Sequence, residues 1–224
     1  MTKGFEYLTR RGVSEESIIH FGLMYYADEQ LHAKLGRFSP EFIKHVKSLL
    51  NPERFNDCVI YPIIDLHGKL ASISARRLDG QPKYDSLPFN KKSLLYGLND
   101  TYSHILNRNM VFVVEGVFDL IMMWQYGIRN VVCSLGCTLT YEQMCLAGRF
   151  TNHFTIVYDP DTAGIAGMSK ASKLLTKHEY LCKTISIPGG LDIDDYLLKY
   201  GAEDFLNHAK NSRTVQTATR SDVV

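Results

Sequence analysis

TIVYDPDTAG, residues 155–164, runs from β-branched and aromatic residues into two aspartates, a proline and a glycine. Its first half has the composition of a buried strand, and Pro160 and Gly164 mark the point where a strand stops and a helix starts. Asp159 and Asp161 fall on that junction. Carboxylates there can cap the helix or hold a metal. Gly164, without a side chain, leaves room for a phosphate at the helix N-terminus.

The segments on either side repeat the pattern. MVFVVEG (110–116) reads as a strand, VFDLIMMWQYG (117–127) as a helix closed by Gly127, NVVCSLG (130–136) as a strand and TYEQMCLAGRF (140–150) as a helix. FTIVYDPD (154–161) is followed by a helix over 163–178, a strand over 182–188 and one or two short helices over 193–209. Short apolar strands alternating with helices predict βαβ units and a parallel sheet covered on both faces. The first half differs. FEYLTRRG and SEESIIHFGL predict two short helices around Gly12, with Ser14 as an N-cap, and PEFIKHVKSLL a third. CVIYPIIDLHGKLASISARRL (58–78) predicts a hairpin turning at DLHGK, and DGQPKYDSLPFNKK a loop. The expected organisation is a smaller α+β segment over 1–98, an α/β domain over 99–210 and a polar, flexible tail over 211–224.

The chain has 224 residues, 45% of them hydrophobic, enough for a sizeable core. With 25 basic against 24 acidic residues the net charge is +1, so any electrostatic signal must be local. Five cysteines occur without a C-x-x-C pair, which argues against zinc. Their odd number and the lack of a signal peptide predict reduced thiols in a cytoplasm, and no run of 18 apolar residues predicts a membrane span.

Right-handed crossovers bring every β-to-α loop to one sheet edge. That edge collects Glu115 after the first strand, Asp159 and Asp161 after the third, and Asp192 and Asp194 after the fourth. Asp119, four residues beyond Glu115, is a second-tier member one helical turn on. Each acid alone reads best as a cap, a dipole partner or a solvated position. Together they require a counter-charge, and a divalent cation such as Mg²⁺ supplies it through hard oxygen ligands.

Between Lys69 and Lys92 six basic residues stand against two acidic ones, which suits phosphate contacts. Tyr84 and Phe89 lie among them and can stack on bases; the alternative is a solvated basic loop with its aromatics packed inward. The pattern Asp159-Pro-Asp161-Thr also resembles the D-x-D-x-T of haloacid-dehalogenase phosphatases. In that reading only one clear strand follows the motif and Glu115 has no role.

The ordered set VVEGVFDLIMMWQYGIRNVVCSLGCTLTYEQ, VYDPDTAGIAGMSKA and GLDIDDYLLKYGAEDF resembles a TOPRIM domain. Before it, YLTRRGVSEESIIHFGLMYY, RFNDCVIYPIIDLHGKLASISARRLDGQPKYDS and LLYGL resemble the catalytic core of DnaG-type primases. The resemblance spans about Phe5 to Ala209. It implies RNA primer synthesis from ribonucleoside triphosphates on single-stranded DNA. It assigns Glu115 as acid/base or metal-adjacent residue, and Asp159, Asp161, Asp192 and Asp194 as ligands of Mg²⁺ or Mn²⁺. Arg11, Arg76, Lys83 and one of Lys91 or Lys92 fall near the family's nucleotide and template contacts. The sequence departs from the family where Cys58 replaces an arginine, where Asp85-Ser86 replaces an asparagine, and where Cys137 replaces a threonine. Neither the family's zinc-binding domain nor its helicase-binding domain fits in the chain, which implies an isolated core or a compact, phage-like primase working with a helicase or a separate zinc-domain partner. The competing readings are a TOPRIM nuclease using the same acids, and a non-catalytic module that binds replication proteins.

Overall fold

The structure, a computed structural model, describes residues 2–34, 36–136, 138–212 and 214–215. They divide into two compact units, one up to Phe89 and one from Asn90 onward.

The first unit opens with α1 (Lys3–Arg10) and α2 (Glu15–Phe21). Ser14 caps α2 as expected, its hydroxyl accepting from Ser17 N. Then come β1 (Met24–Ala27), β2 (Gln30–Ala33), α3 (Pro40–Leu49), α4 (Pro52–Phe55), β3 (Cys58–Ile64), β4 (Leu70–Arg77) and β5 (Tyr84–Ser86). The strands form one antiparallel sheet in the order β2-β1-β3-β4-β5. The expected hairpin is β3–β4; Asp65 Oδ1 closes its turn by accepting from His67 N and Lys69 N, each at 2.9 Å. Cys58, Ile60, Ile73 and Ala75 build the core of one face with Met24 and Tyr26, under Val46 of α3 and Phe55 of α4.

Two strand elements of this unit carry weak sequence signals. The β1–β2 hairpin turns at Asp28-Glu29, both with positive φ (49° and 58°). That backbone usually takes Asn-Gly or Asp-Gly, so Asp-Glu hides it. Asn56 Oδ1 holds the turn by accepting from Asp28 N at 2.9 Å. β5 lies inside the expected loop and has three residues at the sheet edge, paired with β4 through Arg76↔Tyr84, Ala75↔Asp85 and Ser74↔Ser86.

Asp85 fastens β5. It accepts from Arg54 Nε at 2.7 Å and from an Arg54 terminal nitrogen at 2.5 Å, while Arg77 stands 3.8 Å away. The Arg54 hydrogen bonds hold its carboxyl below the usual carboxylate range. Its stabilising effect is present above the ordinary carboxylate pKa and fades as pH falls through the lowered one. Asp85→Ala is expected to lower stability by about 1–2 kcal/mol at pH 7, since a two-pronged guanidinium contact outweighs a single exposed pair. Urea titrations should show the gap between variant and parent closing in acid.

The second unit begins with a 3₁₀ turn at Lys91–Ser93, ahead of the expected boundary at 98/99, and α5 (Leu98–Arg108). Next come β6 (Val111–Val114), α6 (Val117–Gln125), β7 (Val131–Cys133), α7 (Tyr141–Ala147), β8 (His153–Val157), α8 (Thr162–Lys177), β9 (Leu181–Ile185), α9 (Ile193–Asn211) and β10 (Thr214–Val215). α9 is two helical pieces, broken at Gly201 with φ 78° and ψ 176°. The sheet order is β10-β9-β8-β6-β7. β6 to β9 pair in parallel, as the alternation predicts, and β10 adds antiparallel to β9. β10 falls within the expected tail; residues 216–224 lie outside the described residues, as does Cys137.

Every residue of β6 is buried, as a strand covered on both faces requires. Phe112 packs on Phe205 of α9, ring centres 5.7 Å apart, and α9 in turn packs on α6. Phe154, on the opposite face, meets Tyr180 just after α8 at 5.1 Å. α6 and α9 thus cover one face and α8 the other.

Candidate active site

β6 and β8 are neighbours, yet the chain leaves β6 toward β7 and leaves β8 toward β9, in opposite directions. The gap between their C-terminal ends is the topological switch point, where ligands bind in open α/β sheets. Val114 and Val157 are register partners. Glu115 follows the first directly and Asp159 follows the second by two residues, so the two acids hang from adjacent strand ends.

Asp159 is partly buried, and its pKa is pushed up to about 6, first by burial and then by Glu115, Asp192, Asp161 and Asp194. The other four acids expected on this edge therefore lie within electrostatic reach of Asp159. One carboxylate oxygen each of Glu115 and Asp194 is buried, and Asp194 is 4% exposed. Asp119 is 8% exposed, not solvated. It accepts from Gly116 N at 2.8 Å, and its pKa stands well above the ordinary value through burial, then Asp194 and Asp159. It belongs to the same cluster.

Capping and metal holding are compatible here. Asp161 caps α8, its Oδ1 accepting from Gly164 N at 2.7 Å, and Asp192 caps α9, its Oδ1 accepting from Asp195 N at 2.9 Å. Each cap uses one of two carboxylate oxygens. The sequence reading of Gly164 is corrected: the space beside it is taken by protein, since a Cβ there would stand 2.1 Å from the carbonyl oxygen of Asp159 and 3.0 Å from its nitrogen. Gly164 lets α8 close onto the Asp159 backbone, and its N–H is spent on Asp161.

Among the described residues no three His, Cys, Asp or Glu side chains stand together tightly enough to close a metal site unaided. The donor set still fits a hard divalent cation: all candidate ligands are carboxylates, and the neighbouring acids add to burial in raising Asp159.

The basic candidates divide between the units. Arg11, Arg76 and Lys83 lie in the first, Lys91 and Lys92 in the second, with the Lys83, Lys91 and Lys92 side chains exposed. Arg76 lies between two tyrosines, its guanidinium 5.8 Å from the Tyr7 ring centre and 4.9 Å from that of Tyr84, and it donates to both hydroxyls. Arg11 also donates to the Tyr7 hydroxyl, at 3.3 Å. Tyr84 is 45% exposed. Tyr7 escaped the sequence reading, although its spacing of four from Arg11 on α1 was a usable signal. Cys58, where the sequence resemblance leads to the expectation of an arginine, is fully buried in β3, and burial pushes its thiol up to about 11. It is a core residue.

The second unit has a Toprim-like fold with its acids at the switch point, and residues 112–197 match the Toprim-like family model. Residues 1–102 match the N-terminal domain of the DNA primase catalytic core. The chain belongs to the DnaG-type DNA primase catalytic-core family. It is 34% identical to the DNA primase of Clostridium acetobutylicum over 96% of its own length and 38% of the relative's, and 32% identical to that of Aquifex aeolicus over 89% and 43%. The chain thus spans about two fifths of the length of these curated relatives. Among solved structures it superposes on the zinc-binding and RNA polymerase domains of the Aquifex aeolicus primase with a TM-score of 0.81 and 29% identity, over 96% of this chain and 57% of that one. It also superposes on a DnaG catalytic domain bound to single-stranded DNA, with a TM-score of 0.76 and 28% identity, over 95% and 74%. Membership implies use of a divalent metal. Among the described residues no helix is long and apolar enough to cross a membrane.

Proposed function

We propose that the chain synthesises short RNA primers on single-stranded DNA by nucleotidyl transfer. The observation that carries this is the convergence of Glu115, Asp159, Asp161, Asp192 and Asp194 at the switch point, in a chain whose first unit displays the Arg76–Tyr7–Tyr84 cluster. In this reading Asp159, Asp161, Asp192 and Asp194 hold Mg²⁺ or Mn²⁺, with Glu115 beside them as ligand or as acceptor of the 3′-hydroxyl proton. When bound, the cation would offset the charge of the triphosphate while the 3′-hydroxyl oxygen bonds to the α-phosphorus of the next nucleotide and pyrophosphate leaves. Asp119 fixes the start of α6 by accepting from Gly116 N, and burial, with Asp194 and Asp159 next, raises its pKa. Arg11, Arg76, Lys83, Lys91 and Lys92 meet phosphates of template and nucleotide, and the exposed Tyr84 stacks on a base.

No zinc takes part in this reading. Template recognition and loading come from a replicative helicase or a separate zinc-domain partner, in the cytoplasm of a bacterial or phage-infected cell. The test is synthesis of oligoribonucleotides from the four triphosphates on random single-stranded DNA with Mg²⁺ or Mn²⁺, with and without a primase zinc domain. Products that vanish in Asp159→Ala support the proposal. Metal-dependent cutting of the DNA without triphosphates would instead point to a nuclease, and partner binding that survives loss of all the acids to a binding module.

A further inference from the structure

Gln143, on the first turn of α7, is 1% exposed. Its Oε1 accepts from Thr140 N at 3.1 Å, which completes the capping box of α7. Its amide nitrogen does something the helix does not need. It donates to Lys91 O at 3.0 Å, Leu94 O at 2.8 Å and Ser134 O at 2.9 Å. Two N–H groups thus serve three carbonyls. Thr140 adds a fourth tie, its hydroxyl donating to Lys92 O at 2.8 Å. The backbone of the Lys91–Ser93 turn is pinned, while the Lys91 and Lys92 side chains point out exposed.

The ties continue toward the acids. Ser134 N donates to Val114 O at 3.0 Å, and the Tyr158 hydroxyl donates to Ser134 Oγ at 3.2 Å. Val114 immediately precedes Glu115, and Tyr158 immediately precedes Asp159. Tyr96 exchanges two backbone hydrogen bonds with Cys133, each 3.0 Å, so the chain after the turn is laid along β7. One buried hydrogen-bonded network therefore joins the basic turn to both central strand ends. Networks of this kind rigidify when every member is satisfied.

We propose that Gln143 is a positioning residue for nucleotide binding: it holds the Lys91–Lys92 turn in register with Glu115 and Asp159, so that the two ammonium groups meet the phosphates of a nucleoside triphosphate held at the acid edge. The inference rests on the primase reading for its ligand. It separates Gln143 from an ordinary helix cap, because the capping function uses only the oxygen and the positioning function uses only the nitrogen.

The test is a mutant cycle between two Gln143 variants and the pair Lys91→Ala with Lys92→Ala: Gln143→Met removes the amide donors and the cap oxygen together, and Gln143→Glu keeps the cap oxygen and removes the donors. In primer synthesis at saturating template, Gln143→Met should raise KM for the triphosphates about tenfold, the factor expected for losing one typical buried hydrogen bond's worth of alignment. It should leave kcat within about threefold of the parent. The lysine pair should raise KM similarly, and the combination should be no worse than either. Hydrogen exchange at the Lys92, Ser93 and Leu94 amides should accelerate in both Gln143 variants, while the α7 amides keep their protection in Gln143→Glu. Additive effects, a loss confined to kcat, or unchanged exchange at the turn would overturn the proposal. If the parent makes no primers, the primase reading fails on that result alone, and the same cycle is read on affinity for Mg·ATP by calorimetry. Should Gln143→Met not fold, Gln143→Glu carries the cycle.

Discussion

Asp159→Asn is expected to abolish primer synthesis, by at least about a thousandfold, and at the same time to make the metal-free protein more stable. The first effect follows from the proposed role of Asp159 as a charged oxygen ligand at the switch point, where such groups contribute several kcal/mol to charge stabilisation in the transition state. The second follows from the cluster's own repulsion. The Asp159 pKa stands at about 6, above its ordinary 3.8, through burial and the neighbouring acids. Folding therefore favours the protonated form. The benefit is complete below the ordinary pKa and is lost as pH rises through about 6, so at pH 8 the ionised group works against the fold. The neutral amide removes that opposition. After discounting for partial exposure the gain is on the order of 1 kcal/mol, or roughly 2–4 °C in a domain of this size. Melting curves in EDTA at pH 8 and pH 5 check it: the stabilisation should be full at the first and reduced to about half at the second, where the unfolded carboxyl is still ionised. The same linkage predicts that Mg²⁺ raises the melting temperature of the parent at pH 8 and hardly at all at pH 5, because protons and metal compete for one cluster. Equal melting of variant and parent in EDTA at pH 8 would refute the repulsion argument while leaving the activity loss to be judged separately.

Gly164→Ala is the second large effect. A Cβ at this position would lie 2.1 Å from a backbone oxygen that belongs to Asp159 itself. Backbone cannot swing aside as a flexible side chain can, so α8 or the Asp159 peptide must move. We expect a loss of about 2–4 kcal/mol in stability, in the upper range for overpacking because the contact is with main chain. Activity should fall further than the global stability does, because the displaced residue is a proposed metal ligand. Denaturant unfolding followed by Mn²⁺ binding, measured under conditions where the variant remains folded, separates the two effects. Had Gly164 merely left room for phosphate, alanine would cost nothing in the metal-free protein; unfolding without metal or nucleotide decides between these roles.

Much of this protein was legible in its sequence because its signals are local. The run from Met110 to Pro188 alternates strand and helix with Gly, Pro and Asp at the junctions, and those junctions appear where the residues put them. Parallel connection then carries Glu115, Asp159, Asp161, Asp192 and Asp194 to one edge, whatever the order of the strands. The elements that went unread have signals that are not local. The Asp28-Glu29 turn lacks a glycine and is held by Asn56 from another loop. β5 exists because Arg54 grips Asp85 and β4 supplies a partner. α5, LNDTYSHILNR, is polar over much of its length and has Gly97 and Asn109 in left-handed conformations at its ends.

What the sequence determined by itself is the alternation, the set of carboxylates and the basic segment, since periodicity and chain order are properties of neighbours along the chain. What only the tertiary structure decided is the strand order that makes β6 and β8 adjacent, and with it the proximity that lifts the Asp159 pKa, the burial of Asp119, the close approach at Gly164 and the reach of Gln143 to the Lys91 turn. Each depends on the distance between residues far apart in the chain, and that distance is set by how the sheet is assembled, which no short stretch of sequence specifies.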